Sequence, residues 1–438
     1  MTAAPTPPPG GDPIAALADR PIDRTQKGFG VRAARRPVTA GTLAAERPAA
    51  VGSDFTMPLA VLRESALAHN VAAMADWCAQ AGVRLAPHGK TTMAPQLFDR
   101  QLAAGAWGIT AATIGQAQVY RGFGIDKILI ANELTDRAGI AWLAGEMTAD
   151  PGLDCYVYVD SVPGVRLLAG ALAAAGATRP LPVLVELGFP GGRTGCRDVD
   201  QALVVAAAAD RSGVLALAGV AGYEGGIGNG SDQATLDAVA GYCRRLAGLG
   251  QRLAADFPAS PAGSGPIVSA GGSAYFDVVA RELTAAWPPT GPAPVVVLRS
   301  GCYVTHDHRE YLDNGPDARG SGPGLVPAME VWAAVLSRPE PALALAGAGR
   351  RDLSFDKGLP IPLRVRRADG SEDPAGAMTV TRLDDQHAYL SVPAGSDLAP
   401  GDLVCLGISH PCTTFDKWRV IPVVDEEYRV IDAVHTFF

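Results

Sequence analysis

Aromatic residues are scarce in this chain, at 6% of 438 positions, and charged residues make up only 19%. The formal net charge is −8 and no basic stripe runs along the sequence, which argues against a nucleic-acid partner. No uninterrupted apolar run reaches the ~20 residues a membrane span requires. No apolar segment follows the N-terminus as a secretory signal would. The seven cysteines are odd in number and scattered, so they do not form a disulfide framework, and a reducing, cytoplasmic setting is the simpler expectation. A Gly-x-Gly-x-x-Gly turn after the first strand is also missing, which weighs against a doubly wound dinucleotide-binding sheet.

Hydrophobic residues are abundant by contrast, at 48%, and a chain of this length accommodates a large barrel and a smaller domain. Residues 1–50 carry few order signals: 1–12 is rich in Pro and Gly, 32–36 is basic and 38–50 is rich in Ala. They are expected to be a flexible segment. From about residue 63 to 305, short β-rich runs alternate with stretches of helical length. The runs are Val83–Ala86, Ile109–Ala112, Lys127–Ala131, Cys155–Asp160, Pro182–Glu186, Leu215–Ala221, Pro266–Ala270 and Val295–Arg299. Helical patterns between them include Val162–Ala175, Val199–Arg211 and Gln233–Asp256. Repeated βα units without hairpin signals predict an α/β fold, a parallel (β/α)8 TIM barrel over residues 51–315. Arg309–Gly324 reads as a linker or long loop. Beyond it, residues 316–438 break into short β-branched runs separated by Pro, Gly and Asp, the pattern of a C-terminal β domain, and Met57–Leu62 is placed to pair into that domain.

Loops after barrel strands converge on one face. Here they would gather Lys90, Thr113, Asn132, Asp160, Glu186, Arg193, Tyr223, Gly271–Ser273 and Ser300–Tyr303. Lys90 draws attention because it follows a short apolar strand beside His88 and Gly89; a lysine so placed is a candidate covalent anchor for an aldehyde cofactor. Gly271, Gly272 and Ser273 follow the seventh strand, where backbone N–H groups can hold a phosphate. A lysine at one end and a phosphate cradle at the other suit pyridoxal 5'-phosphate. His410 and Cys412, in a His-Pro-Cys run, are ligand types that favour zinc (Zn²⁺). His306 and His308 have the look of a metal cluster, but a solvated loop is the simpler reading. Cys155, Cys196, Cys243 and Cys302 are expected to be small core or loop residues.

The blocks Pro87–Thr91, Gly108–Thr113, Ile128–Asn132, Gly192–Gly195, Gly271–Ser273 and Ser409–Trp418 resemble the D-serine dehydratase and D-threonine aldolase family. These are fold type III pyridoxal phosphate enzymes with the alanine racemase architecture. The resemblance spans roughly residues 57–438. It implies that Lys90 is the covalent anchor and that Gly271, Gly272 and Ser273 hold the phosphate. It also implies that His88, Arg193, Tyr223 and Tyr303 line the cofactor and that His410 and Cys412 bind a metal facing it. Dehydratase members carry Cys at the second metal position, and aldolase members tend to carry Asp, so Cys412 points to zinc and to β-elimination from a D-hydroxyamino acid. An aldolase acting on D-threonine or 3-hydroxy-D-aspartate is the alternative. An amino-acid racemase or a non-catalytic pyridoxal phosphate carrier fits less well. The resemblance further implies a homodimer. One departure stands out: relatives often place a His soon after the Lys-Thr pair, where this chain continues Thr92-Met-Ala-Pro95.

Overall fold

A computed structural model of the protein describes residues 11–228, 230–254, 265–287 and 293–438. Most of the Pro- and Gly-rich stretch 1–12, and the end of the helix expected over 233–256, lie outside the described residues. In chain order, β1 is Leu59–Arg63, β2 Arg84–Leu85, β3 Ile109–Ala111, β4 Lys127–Glu133, β5 Asp154–Val159, β6 Leu181–Leu187, β7 Leu215–Gly222, β8 Ile267–Ser269 and β9 Val295–Leu298. Strands β2 to β9 form one parallel sheet in the order β2-β9-β8-β7-β6-β5-β4-β3. A single parallel bridge from His88 to Thr110 joins its two ends. Each of the eight strands falls on a run expected from the sequence. Apolar runs without clear alternation produce buried parallel strands because both faces are covered. The inner face is a compact layer of Leu129, Tyr158, Leu184, Ala221, Ile267 and Val297, so the barrel is filled rather than hollow.

Polar residues at several strand ends cap the helices that follow. Thr113, Asp136, Ser161, Asp198 and Asp232 each accept a backbone N–H of the first helical turn, satisfying donors that the helix cannot. Thr113 is thereby accounted for as a cap.

The second domain holds β10 (Met329–Glu340), β11 (Leu343–Ala346), β12 (Ile361–Arg366), β13 (Glu372–Pro374), β14 (Thr379–Leu383), β15 (Ala388–Ser391), β16 (Leu403–Gly407), β17 (Val420–Val424) and β18 (Val430–His435). Its main sheet runs β13-β12-β16-β10-β1-β17-β18. β1, which precedes the barrel in sequence, is therefore interior to this sheet, antiparallel to β10 and parallel to β17. The segment expected as a linker, Arg309–Gly324, is ordered instead. It contains a helical turn, Glu310–Asn314, and Arg319 ties it to the barrel through Asp277 at 2.7 Å.

The expectation of a flexible segment over 1–50 is corrected for residues 11–50. Phe29, Val38 and Leu43 are buried with Leu59, Val61, Trp332 and Tyr428 in one cluster. Backbone bonds from Ala50 to Tyr428 and from Val430 to Pro48 stitch the segment to β18. A capping box at Thr39 starts the helix Ala40–Glu46. The Ala-rich composition concealed a few large apolar residues at spacings that reach a neighbouring sheet. Phe29 is fully buried, so Phe29→Ala is expected to cost about 3–5 kcal/mol, measurable as a lowered midpoint in denaturant unfolding. A freely moving N-terminal segment would leave that midpoint unchanged.

Candidate active site at the barrel mouth

Lys90 sits in a tight 3₁₀ turn, Gly89–Thr91, just after β2. The turn is wedged in place from two sides. A Cβ on Gly89 would meet the Tyr120 hydroxyl at 2.5 Å, and one on Gly301 would meet the His88 carbonyl and the Thr91 hydroxyl at 2.6 Å. Glycine is needed at both places to let backbones approach. Met93 packs into the core, and its carbonyl accepts the Phe437 N–H at 2.9 Å. Lys90 is half-buried and makes no ion pair among the described residues. The neighbouring imidazole of His88 is held well below its ordinary range, by burial first and then by Lys90, Arg299 and Arg193. Its Nδ1 is buried without a partner. Four basic groups thus converge on one point, a setting suited to an anionic guest.

The turn after β8 differs from expectation in one respect. Gly271 has φ +94°, and a Cβ there would collide with Leu298, so the turn is built for glycine. Its anion is a protein side chain: Glu224, fully buried, accepts the N–H of Gly271 at 3.0 Å and of Gly272 at 2.6 Å. The expected phosphate cradle therefore has two of its donors engaged, and a phosphate would take them only as Glu224 withdraws. Glu224 carried no signal of its own in the sequence beyond its place after Tyr223. The Tyr223 ring lies beneath the Arg193 guanidinium at 4.8 Å. Both border a cavity of about 210 Å³ together with Glu186 and Phe189. Tyr303 is turned away from this mouth. It is buried, accepts from Gln101 at 3.1 Å and lines a separate cavity with Val71, Cys78 and Ala104. Arg299, read only as a strand end, donates to Ser269 at 2.8 Å and to the Gly222 carbonyl at 2.6 Å from a buried position at the barrel's centre.

His410 and Cys412 reach the same mouth from the β domain. The Cys412 Sγ lies 3.4 Å from the Thr91 hydroxyl, one residue from Lys90. It also lies 3.5 Å from the Cys302 Sγ. Asp356 accepts from His410 Nδ1 at 2.7 Å, the usual carboxylate support of a metal-binding imidazole. The Cys302 thiol, and after it His410, hold Cys412 well below the ordinary thiol range. Burial pushes His410 down, but its bonds to Cys412 and Asp356 outweigh this and lift it to about 9. A thiolate beside an oriented imidazole is a donor set that suits zinc. His306 and His308 are corrected on both counts. His306 is buried and His308 half-buried, with the backbone N–H of His308 on the Ile408 carbonyl at 2.9 Å, and they join no group of potential ligands among the described residues.

Residues 62–280 match the family described as "Alanine racemase, N-terminal domain", and residues 328–424 match the "Putative serine dehydratase domain". The chain belongs to the D-serine dehydratase and D-threonine aldolase family of fold type III pyridoxal phosphate enzymes. It is 28% identical to a D-threonine aldolase of Arthrobacter sp. over 370 residues, 84% of this chain and 88% of that one. A D-threo-3-hydroxyaspartate dehydratase of Delftia sp. (strain HT23) is 30% identical over 149 residues, 34% of this chain and 38% of the relative. The solved D-threonine aldolase of Filomicrobium marinum superposes with a TM-score of 0.73 at 26% identity, covering 87% of this chain and 95% of that one.

The residues present fit the family's cofactor. An amine without an ion pair, an unpartnered buried Nδ1 on His88 and a basic surround accommodate an aldehyde that carries phosphate. Opposite them, the mouth carries a cluster of carboxylates. Glu133, Asp160 and Glu186 place oxygens within 4.8 Å of one another. Burial, and then Glu186, push the Glu133 carboxyl up to about 8, so it is protonated at neutral pH. Because the folded state raises this pKa above 4.5, it binds the proton more tightly than the unfolded chain. Its stabilising contribution is complete below 4.5 and is lost as pH rises toward about 8. Glu133→Gln is accordingly expected to flatten the fall in thermal midpoint over that window, with wild type and variant converging at acidic pH. Parallel pH profiles for the two proteins would contradict this assignment.

Proposed function

We propose that the chain is a pyridoxal-phosphate- and zinc-dependent ammonia-lyase that acts on D-amino acids bearing a β-hydroxyl, as D-serine and D-threonine do, and releases a 2-oxo acid and ammonia. The observation that carries the reading is Cys412: a sulfur donor, next to a carboxylate-supported histidine, held 3.4 Å from the hydroxyl that follows Lys90. Pyridoxal phosphate joined to Lys90 supplies an electron sink that acidifies the Cα–H bond. Zinc held by His410 and Cys412 supplies a Lewis acid for the β-oxygen. The protein's own groups do the rest. The Lys90 amine would serve as general base toward the Cα proton. His88, kept neutral by burial and by the neighbouring Lys90, Arg299 and Arg193, presents an acceptor at the lysine turn and is too weak a base to compete for that proton. The Arg193 guanidinium, stacked on Tyr223, places positive charge beside the cavity and favours a substrate carboxylate or a cofactor oxygen there. Closure of the β domain over the mouth excludes bulk water from the reacting carbon.

The second reading is aldol cleavage of the same substrates, and it is favoured by one observation, the extent of the match to a D-threonine aldolase, which covers most of both chains. Product analysis with D-threonine, in the presence of pyridoxal phosphate and zinc, separates the two. Elimination gives 2-oxobutanoate and ammonia; glycine with acetaldehyde would replace the lyase reading by the aldolase one. Lys90→Ala is expected to abolish borohydride trapping of the cofactor on the protein, and trapping that persists would move the anchor to another lysine.

A further inference from the structure

We propose that Cys302 is a third protein ligand of the metal, making a centre of two thiolates and one imidazole. The inference rests on the reading that His410 and Cys412 hold a metal, and it adds a residue that the family resemblance did not supply. Three ligand atoms, one each from Cys302, His410 and Cys412, lie within 4.8 Å of one another. The two sulfurs are 3.5 Å apart. Two Zn–S bonds of about 2.3 Å at a tetrahedral angle place their sulfurs about 3.8 Å apart, close to that separation, whereas a disulfide requires about 2.05 Å.

Cys302 is also fixed where a ligand must be fixed. It is 5% exposed and opens the 3₁₀ turn Cys302–Val304 just after β9. The preceding Gly301 packs so closely on His88 and Thr91 that no side chain fits between. The turn bearing Cys302 and the turn bearing Lys90 therefore move as one unit, and the β domain brings His410 and Cys412 to both. Cys78, Cys155, Cys196, Cys243 and Cys405 are buried as well, but none joins a group of potential ligands among the described residues. Two thiolates neutralise a dication and select a borderline-soft ion such as zinc over magnesium or manganese, which prefer oxygen donors. Three protein ligands leave the fourth tetrahedral position for water or a substrate oxygen, the arrangement of catalytic zinc sites.

Cobalt substitution reads the thiolate count without using turnover. The holoenzyme loaded with Co²⁺ is expected to show near-ultraviolet thiolate-to-metal absorption that falls by about half in Cys302→Ser, because one of two sulfur donors is lost. The metal dissociation constant is expected to rise by more than the about 10–100-fold typical of losing an outer-sphere partner. The visible cofactor band of the variant reports that the fold is retained. Should the variant fail to fold, X-ray absorption of zinc-loaded wild type counts sulfur directly, and two sulfurs support the proposal. An unchanged cobalt spectrum and affinity in Cys302→Ser, or a single sulfur in the wild type, would overturn it while leaving His410 and Cys412 in place. A wild-type protein that binds neither ion removes the metal reading and this inference together.

Discussion

The docking of the Ser409–Trp418 segment on the Lys90 turn is the contact on which the site depends. Neither domain carries the chemistry alone: the barrel brings Lys90, His88 and Arg299, and the β domain brings His410 and Cys412. The segment is braced from behind. The Ser354 hydroxyl accepts the N–H of His410 at 3.0 Å, the Ser409 hydroxyl donates to the Gly358 carbonyl at 2.7 Å, and the buried Trp418 indole donates to the Asp352 carbonyl at 3.0 Å. Lys27, from the N-terminal segment, pairs with the Asp352 carboxylate at 2.9 Å and lies over the Trp418 ring. Residues far from the mouth thus set where Cys412 meets Thr91. Because β1 is interior to the second sheet, the two domains are also joined at both chain ends of the barrel, which limits their independent motion.

Charge is distributed unevenly around the barrel mouth, and topology dictates how. β2 and β9 are neighbours in the sheet, so the turns that follow them place Lys90, His88 and Arg299 on one side. β4, β5 and β6 are neighbours in turn, and Glu133, Asp160 and Glu186 stand at or just beyond their ends. Burying carboxylates is costly unless they are paired or protonated. The raised Glu133 carboxyl is the second of these solutions, and the bond from Asp160 to the Gly195 N–H at 3.1 Å is an instance of the first. Glu224 follows the same logic at the Gly271 turn, where two backbone donors neutralise it. An anionic cofactor meets a basic side on entering, and the acidic side holds back a second anion.

Much of the barrel was legible because each strand is a short apolar run between capped helices, a pattern that local chemistry writes plainly. β11 and β13 went unread because they are short or, like Glu372–Asp373, polar, and they become strands only by pairing with edges already formed; β18, apolar and six residues long, was missed without either reason. Packing of the N-terminal segment was hidden because it depends on the distant partners Trp332 and Tyr428. Lys90, the proposed cofactor anchor, and the His-Pro-Cys pair could be read as local motifs. Cys302 could not: it stands 110 residues from Cys412, and only closure of the domains brings the two thiols together. Tyr303 shows the converse error. Its neighbours in sequence lie at the mouth, but a 3₁₀ turn rotates successive side chains by about a third of a revolution, and this one falls on the helical layer.

Thiolate donors bear on which bond of a β-hydroxyamino acid breaks. Both elimination and aldol cleavage draw on the same electron sink, and they differ in the fate of the β-oxygen. Aldol cleavage leaves that oxygen as a carbonyl and so requires its proton to be removed, which a strongly positive metal promotes. Elimination requires the oxygen to depart with its proton, which a metal that coordinates the intact hydroxyl as a Lewis acid promotes. A dication with one thiolate retains a net positive charge, and with two it retains none. A carboxylate at the second position would be a harder donor that suits harder ions, whereas sulfur donates charge to the ion. On the proposed reading, Cys412, with the Cys302 thiol 3.5 Å away, would hold the β-hydroxyl on the metal without ionising it, and that difference in the fate of the oxygen is what favours dehydration over aldol cleavage.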